Sequence, residues 1–391
     1  MFKKYLCIFF AILLSCNLVL AQRSKTKLPV KRWLSTAAAQ YQSLIAQCPD
    51  SASYPRSVDG NGKTIFVKSK DWTSGFFAGN LWHLYLLTGN KKWIAPAKKW
   101  TESLDKEKYN GGTHDLGFMM YCSYGTGDLA QPSEAYKQVI IQSAKTLVTR
   151  YSDKVKAIKS WDFGKDKWQY PVIVDNLMNL ELLLEATKLT GDSSFYHVAI
   201  NHADTDLKYR FRPDNSTYHV LDFETETGKL RNRRTYQGYA DSSCWSRGQA
   251  WAIHAFANMY EKTKLRRYLE ASVKAADYFI AKTTEGDGIP AWDFNDPSVK
   301  VPKDASAAAV AASGLIMLSK YVPNKKSVYL KKAESMLKTL GSPAYLAKVG
   351  TNNFFLLKHS TGNWPAKSEI DQPLIYADYY FLEALYRHKN L

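Results

Sequence analysis

Apolar residues recur at helical spacing through most of the chain, and the stripes stop at similar punctuation. Leu81 to Leu87 runs into Thr88-Gly89-Asn90, and Leu177 to Leu189 runs into Thr190-Gly191-Asp192. The stripe before Gly127-Asp128 ends at Thr126, that of Ala250 to Lys262 near Thr263, and that of Leu315 to Tyr321 near Val322. Each break precedes a second helical pattern, such as Tyr136 to Tyr151, Phe195 to Tyr209, Tyr268 to Ala281 and Val328 to Leu340. Gly followed by Asn or Asp is a good helix stop, because glycine tolerates the left-handed conformation of a C-terminal cap. The pattern is one of helix pairs repeated at uneven intervals, the unevenness being inserted loops. Such pairs either stack into an open solenoid or close into a toroid around one pocket. The long, aromatic-rich connections favour the toroid. One stretch, Thr217 to Thr235, alternates less like a helix and predicts a short inserted hairpin.

Composition narrows the class. Hydrophobic residues make up 45% and charged residues 23% of the chain, so it has the means to build a core and is not disordered. No long apolar run follows the N-terminal one, which excludes a polytopic membrane protein. The net charge of +17 raises nucleic acid as a partner, but the lysines are scattered through helical patterns and form no basic stripe. No nucleic-acid partner is therefore expected.

The first 21 residues read as a leader. Lys3 and Lys4 precede a short apolar stretch, and Val19-Leu20-Ala21 fits a small-residue cleavage rule with Gln22 as the new N-terminus. A rival reading takes Leu13-Leu14-Ser15-Cys16 as a lipobox, with Cys16 as a lipid anchor and the only route to a membrane. Either way the product is exported, with a periplasmic destination expected. Residues 22–391 show no linker and read as one catalytic-size domain. Cys48, Cys122 and Cys244 have no paired spacing and predict small buried hydrophobes. No HExxH motif and no His/Cys cluster is present, so neither a metal nor another cofactor is expected.

Five stretches place polar and aromatic residues where a plain helix does not need them. They are Asp71 to Gly79, Thr113 to Phe118, Val174 to Asn179, Tyr236 to Trp251 and Pro373 to Tyr380. Asp175 is the most telling, because Val172, Ile173, Val174 and Leu177 surround it with apolar side chains at a helix start. A carboxyl in an apolar pocket titrates high and suits general acid/base work. An aspartate there also fits a simple helix cap.

Together the His114-Asp115-x-Gly117-Phe118, Val174-Asp175-Asn176-Leu177-Met178-Asn179 and Ser246-Arg247-Gly248-Gln249-Ala250-Trp251 stretches resemble the unsaturated glucuronyl hydrolases, glycoside hydrolase family 88. The resemblance runs from about Trp33 to Arg387 and implies an all-α fold, the (α/α)6 barrel. It also implies the reaction. The substrates are lyase-generated oligosaccharides whose non-reducing end is a 4,5-unsaturated uronic acid. Protonation at C4 and addition of water at C5 hydrate the vinyl ether, and the unstable hemiketal opens to release the next sugar.

By resemblance Asp175 is the general acid/base, and Asp115 holds ring hydroxyls and influences Asp175 by its charge. His219 matches a histidine near the alkene, and Gln237, Arg247 and Trp251 match residues of the uronate pocket. Trp72 and Trp161 are candidate flat walls for a sugar ring. Ser360, Lys367 and Ser368 stand in the loop where some relatives bind a sulfated neighbouring sugar, but without their spacing. Structural alternatives exist for each: Asp115 paired with His114, Arg247 in an ion pair closing the inner helices, the tryptophans in the core, and Lys367 in a solvated loop. Two other functions fit less well. A related barrel family removes unsaturated galacturonate from pectin fragments. An exported glycan-binding protein suits the aromatics, but has no use for a protonatable buried carboxyl.

Overall fold

A computed structural model describes residues 28–391. The leader, its cleavage site and the Cys16 motif lie outside these residues. The described residues form twelve helices in six pairs, with four small sheets between them. In chain order the elements are α1 (Val30–Gln47), β1 (Tyr54–Val58), β2 (Thr64–Val67), α2 (Ser74–Thr88) and α3 (Ile94–Glu102). A π-helical segment, Gly117–Gly125, continues directly into α4 (Thr126–Ala130), followed by α5 (Glu134–Val148). Then come β3 (Tyr151–Ser152), β4 (Ala157–Ile158), β5 (Tyr170–Ile173), α6 (Asn176–Thr190) and α7 (Ser193–Tyr209). The second half holds β6 (Val220–Phe223), β7 (Leu230–Arg234), α8 (Ser246–Thr263), α9 (Arg266–Lys282), α10 (Ala305–Ser319) and α11 (Lys326–Leu340). It ends with β8 (Ser360–Asn363), β9 (Ser368–Gln372) and α12 (Ile375–Lys389).

Six helices form an inner ring. α2 packs on the 117–130 helix, which packs on α6, and the ring continues through α8, α10 and α12 back to α2. The other six lie outside, each against its inner partner. The toroid therefore closes, and the fold is an (α/α)6 barrel. Burial explains which helix goes where. Every residue of α10 is buried, and its Ala-rich sequence has no polar face to show to water. α9 and α11 carry one apolar stripe and charged residues on the other face, so they pack outside. The expected stops occur except the one at Thr126, where the helix runs on through Gly127 to Ala130. Gly89 and Gly191 both sit at positive φ and close α2 and α6, their N–H groups bonding to the carbonyls of Tyr85 and Thr187.

The hairpin expected at 217–235 is β6–β7, joined by β5 into a three-stranded antiparallel sheet. α12 reads in the sequence as an aromatic, polar motif rather than a helix, and the helical stripe before Gly127 is wound over 117–125 as a π-helix, a form common near functional sites. Cys122 and Cys244 are buried as expected, whereas Cys48 is only half-buried.

Candidate active site

The inner helices bring their N-terminal ends to one mouth of the barrel. Trp72 and Asp115 lie just before α2 and the π-helical segment, Asp175 begins α6, and Arg247 and Tyr376 stand in the first turns of α8 and α12. All five line one cavity of about 510 Å³. Helix N-termini carry partial positive charge, which suits an anionic ligand. His114, Trp161 and Gln237 complete its walls, and β8 and β9 cover one side with Gly362, Asn363 and Glu369.

Two of the sequence motifs interlock here. A methyl group on Gly117 would come within 2.5 Å of the Asn179 Cα, so only glycine lets the π-helical turn lie against α6. Asn179 Oδ1 accepts the Phe118 N–H at 2.8 Å, tying the turn down. This close approach sets Asp115 beside Asp175.

Asp175 does not cap its helix, since its side chain bonds to none of the free N–H groups of α6. It is buried, and Oδ2 has no hydrogen-bond partner. Burial pushes its pKa up to about 7, Arg247 acts to lower it and the Asp115 charge to raise it. His219 faces it, with Nε2 at 3.8 Å from Asp175 Oδ2. Its other nitrogen, Nδ1, accepts two backbone N–H groups, those of Tyr236 and Gln237, each at 3.1 Å. A nitrogen that accepts has no proton, so the neutral ring carries its hydrogen on Nε2. Burial holds the His219 pKa well below the ordinary value, which keeps the ring neutral. A donor and a carboxyl oxygen, both without partners, thus face each other across a gap too long for a hydrogen bond.

His114 and Asp115 form a second pair. His114 Nδ1 lies 2.7 Å from the Ser160 carbonyl and must donate to it, so its Nε2 turns toward Asp115 Oδ1 at 3.2 Å. In this geometry His114 Nε2 makes no hydrogen bond, so the two groups act on each other through charge alone. Burial raises the Asp115 carboxyl and lowers the His114 imidazole, while the opposite charge of each partner acts against that shift.

Arg247 lines the cavity as expected, but three of its five N–H groups are taken up: Nη1 donates to Asp304 Oδ2 at 2.6 Å and to the Thr361 carbonyl at 2.6 Å, and Nη2 donates to the Gly362 carbonyl at 2.5 Å. The guanidinium therefore links α8 to α10 and pins β8 over the cavity, which leaves only part of its fork for a ligand. Gln237 Nε2 also donates to the Gly362 carbonyl, at 3.3 Å. Arg56 holds the other strand, with Nε at 2.6 Å from Glu369 Oε1 and Nη1 at 2.9 Å from Asp71 Oδ2.

Five residues expected at the site do not line the cavity, and His219 is one of them, buried behind Asp175. Trp251 is fully buried one turn deeper, packed on Phe118 and Tyr380. The four-residue spacing from Arg247 gives it the same helix face but a position below the floor. Ser360 is wholly buried in β8, while Lys367 and Ser368 are exposed at the outer turn of the hairpin. Trp72 and Trp161 do line the cavity, Trp72 backed by Tyr376 with ring centroids 5.0 Å apart. Tyr376 belongs to the fifth sequence stretch, whereas nothing local marks Arg56 and Asp304, which gain their places through contacts with distant segments.

A scan against known families matches residues 53–382 to Glycosyl Hydrolase Family 88. The chain belongs to Glycosyl Hydrolase Family 88. It is 46% identical over 380 residues to an unsaturated glucuronyl hydrolase of Formosa agariphila, covering 96% of this chain and 94% of that one. It is 31% identical over 380 residues to an unsaturated chondroitin disaccharide hydrolase of Streptococcus agalactiae, covering 94% of this chain and 93% of the relative. Among solved structures, that of an unsaturated glucuronyl hydrolase specific for heparin superposes with a TM-score of 0.89 at 44% identity, covering 92% of this chain and 96% of that one.

Two other features of this family 88 barrel contrast with the site. A cavity of about 340 Å³ opens at the opposite end of the inner ring. Its charges are mostly matched in pairs, with Lys262 at 3.3 Å from both Glu181 and Glu185, and Glu383 held by Arg387 and His254. Asp378, in the fifth sequence motif, is also a buried carboxyl pushed up to about 7 by burial. Unlike Asp175 it is fully engaged, accepting from Tyr41 Oη at 3.0 Å and from the N–H groups of Leu356 and Leu357 at 2.8 and 2.9 Å. Its role is to hold the 355–357 segment against α12 and α1. Asp378→Ala strands those two amides, each worth roughly 1–3 kcal/mol when unsatisfied. A clear fall in thermal midpoint is expected, and an unchanged midpoint would refute the assignment.

Proposed function

We propose that Asp175 is the general acid/base of an enzyme that removes the terminal 4,5-unsaturated uronic acid from lyase-generated, glycosaminoglycan-type oligosaccharides. The observation that carries this reading is the gap between Asp175 Oδ2 and His219 Nε2, two buried and unpartnered polar atoms 3.8 Å apart. A carboxyl with a pKa near 7 is half protonated at neutral pH and can give its proton to C4 of the alkene. The resulting carboxylate then takes a proton from the water that adds to C5. The hydrogen gained at C4 and the hydroxyl gained at C5 make a hemiketal. It opens to a ketone, and the bond from C1 to the leaving sugar breaks as that sugar takes up a proton. His219 Nε2–H faces the same region and donates to an oxygen of the substrate. Asp115, with His114, receives ring hydroxyls and keeps a negative field near Asp175. Trp72 stacks on the uronate ring. The relatives act on, or are specific for, chondroitin- and heparin-type fragments, which supports that substrate class over a pectin fragment.

The working form carries a proton on Asp175. Because burial raises its pKa to about 7, kcat/KM is expected to be level below pH 7 and to fall with each pH unit above it. The same shift costs stability as pH rises from the unfolded carboxyl value toward 7, since the folded state holds the proton more tightly. A pH profile that climbs through pH 7 would overturn the assignment. The reaction is tested by following the loss of alkene absorbance with heparin-, chondroitin- and pectin-derived unsaturated disaccharides. Binding without loss of the alkene would favour a binding protein instead. The leader supports export to the periplasm after cleavage at Ala21, with lipidation at Cys16 the competing outcome, and the mass of the mature N-terminus distinguishes them.

A further inference from the structure

A buried guanidinium lies behind the site, at the end of α7, and takes no part in the chemistry proposed above. Arg210 follows the last residue of α7 and is wholly buried, as is Asp206 one turn earlier. Every N–H group of its fork is taken up. Nε and Nη2 donate to the two Asp206 carboxylate oxygens. Nη1 donates to the carbonyls of Tyr218 at 3.0 Å and His219 at 2.6 Å, and Nη2 also donates to the Val172 carbonyl at 3.1 Å. Burial acts to raise the Asp206 carboxyl, but Arg210 and His202 outweigh it and hold the pKa below the ordinary value. The carboxylate therefore stays charged at neutral pH, and the pair is ionic.

The three carbonyls belong to the two strands that carry the reacting pair. Val172 is in β5, which runs directly into Asp175, and Tyr218 and His219 lead into β6. At this end the strands pair Ile173 with Val220, and the His219 carbonyl also accepts the Val174 N–H at 3.1 Å. The Tyr218 N–H answers the clamp by donating to the Arg210 carbonyl at 2.9 Å. A buried ion pair adds little net stability over apolar side chains of the same size, because desolvation offsets the attraction. What the fork adds is geometry, since a planar group with fixed donors sets both strand ends in one position.

We propose that Arg210, held by Asp206, is a positioning residue for the reaction: by gripping the Val172, Tyr218 and His219 carbonyls at once, it sets Asp175 Oδ2 and His219 Nε2 3.8 Å apart. It does not line the cavity and meets no substrate. The inference rests on the function proposed above and names what holds that site in register from behind. Asp175 is faced by Arg247 from α8, by Asp115 ahead of the π-helical segment and by His219 at the start of β6. Burial raises its pKa, Arg247 and Arg210 both act to lower it and Asp115 acts to raise it, so the test separates position from charge.

The test follows loss of the alkene of an unsaturated disaccharide in two variants, each with a thermal melt. Arg210→Lys keeps a charge beside Asp206 but not the planar fork. Its kcat is expected to fall about ten- to a hundredfold, the scale set by a misplacement of about 1 Å. KM should stay within about twofold, because no contact with the substrate is lost. The alkaline limb of kcat/KM should stay within about half a pH unit of the wild type, since the positive charge remains. Asp206→Leu combined with Arg210→Met removes the whole pair without stranding a charge. It should melt near the wild-type midpoint and show the same loss of kcat. If the double variant does not fold, the lysine variant decides alone. Wild-type kcat in either folded variant, or a rise in KM alone, would overturn the positioning role. So would a loss of rate that a shifted limb fully accounts for, because Arg210 would then act through its charge. If the wild-type protein does not consume the alkene, the proposed function fails instead, which separates the two outcomes.

Discussion

Asp175→Asn is expected to lower kcat by about two to four orders of magnitude while KM changes little, the range found when a general acid/base is removed. The amide is nearly isosteric and cannot give a proton to carbon or take one from water. The fold should survive, because the Asp175 side chain makes no helix-capping bond and Oδ2 bonds to nothing. Thermal stability near pH 7 is expected to hold or rise slightly, since the variant no longer carries a half-ionised buried carboxyl. Kinetics of alkene loss and a thermal melt check both parts. Turnover near the wild-type rate would remove Asp175 from the mechanism. A fall in activity with a collapsed fold would mean that Asp175 is structural. The contrast with Asp378 sharpens the point, because burial raises both carboxyls to about 7 but only one has an oxygen left over. A perturbed pKa alone does not separate a catalytic acid from a structural one. The unpaired oxygen does.

Arg247→Ala is expected to have the largest effect on stability. Arg247 and Asp304 are both buried, and the guanidinium bonds to Asp304 and to two carbonyls of β8. Removing it strands a buried carboxylate and two acceptors at once. Breaking such a pair typically costs about 3–5 kcal/mol, read as a shift in denaturation midpoint. Arg247→Lys is expected to rescue poorly, because one ammonium cannot span both Asp304 and the hairpin as a planar fork does. A second readout separates structure from chemistry. Arg247 lowers the Asp175 pKa, so in Arg247→Met the alkaline limb of kcat/KM should move to higher pH. A limb that stays in place would show that the two groups are not coupled. A midpoint shift below about 1 kcal/mol, the scale of an exposed pair, would show that Arg247 does not hold the hairpin.

The two variants act on different parts of one design. Asp175 is kept free by its surroundings, and Arg247 serves chiefly to build those surroundings. This division explains why the cavity wall is polar yet firm. β8 and β9 are held by two guanidinium groups, Arg56 and Arg247, each clamped by carboxylates from elsewhere in the chain. The wall opposite Asp175 is thus fixed before any sugar arrives, which favours positioning over induced rearrangement.

The sequence by itself determined the helix pairs, their stops at Gly89 and Gly191, the inserted hairpin near 217–235 and the aspartates at the starts of the inner helices. These are local matters, set by spacing of apolar side chains and by backbone preference within a few residues. It also carried the motifs that mark family 88, because Gly117 and Asn179 must coexist for the π-helical turn to meet α6. What only the tertiary structure decided depends on groups far apart in the chain. Arg247 reads equally as a ligand fork or as an ion pair, and only the approach of Asp304 and Thr361 to it shows the second. Trp251 shares a helix face with Arg247, but depth below the cavity is a property of the barrel and not of the spacing. Ser360, Lys367 and Ser368 have suitable chemistry, yet the hairpin turns them into the core or out to water. The proton on His219 Nε2 follows from two amides donated to the other nitrogen, at positions 17 and 18 residues away. Local sequence fixes which chemistry is present. Closure of the ring fixes which of those groups remain unpaired, and an unpaired buried group is what a reaction can use.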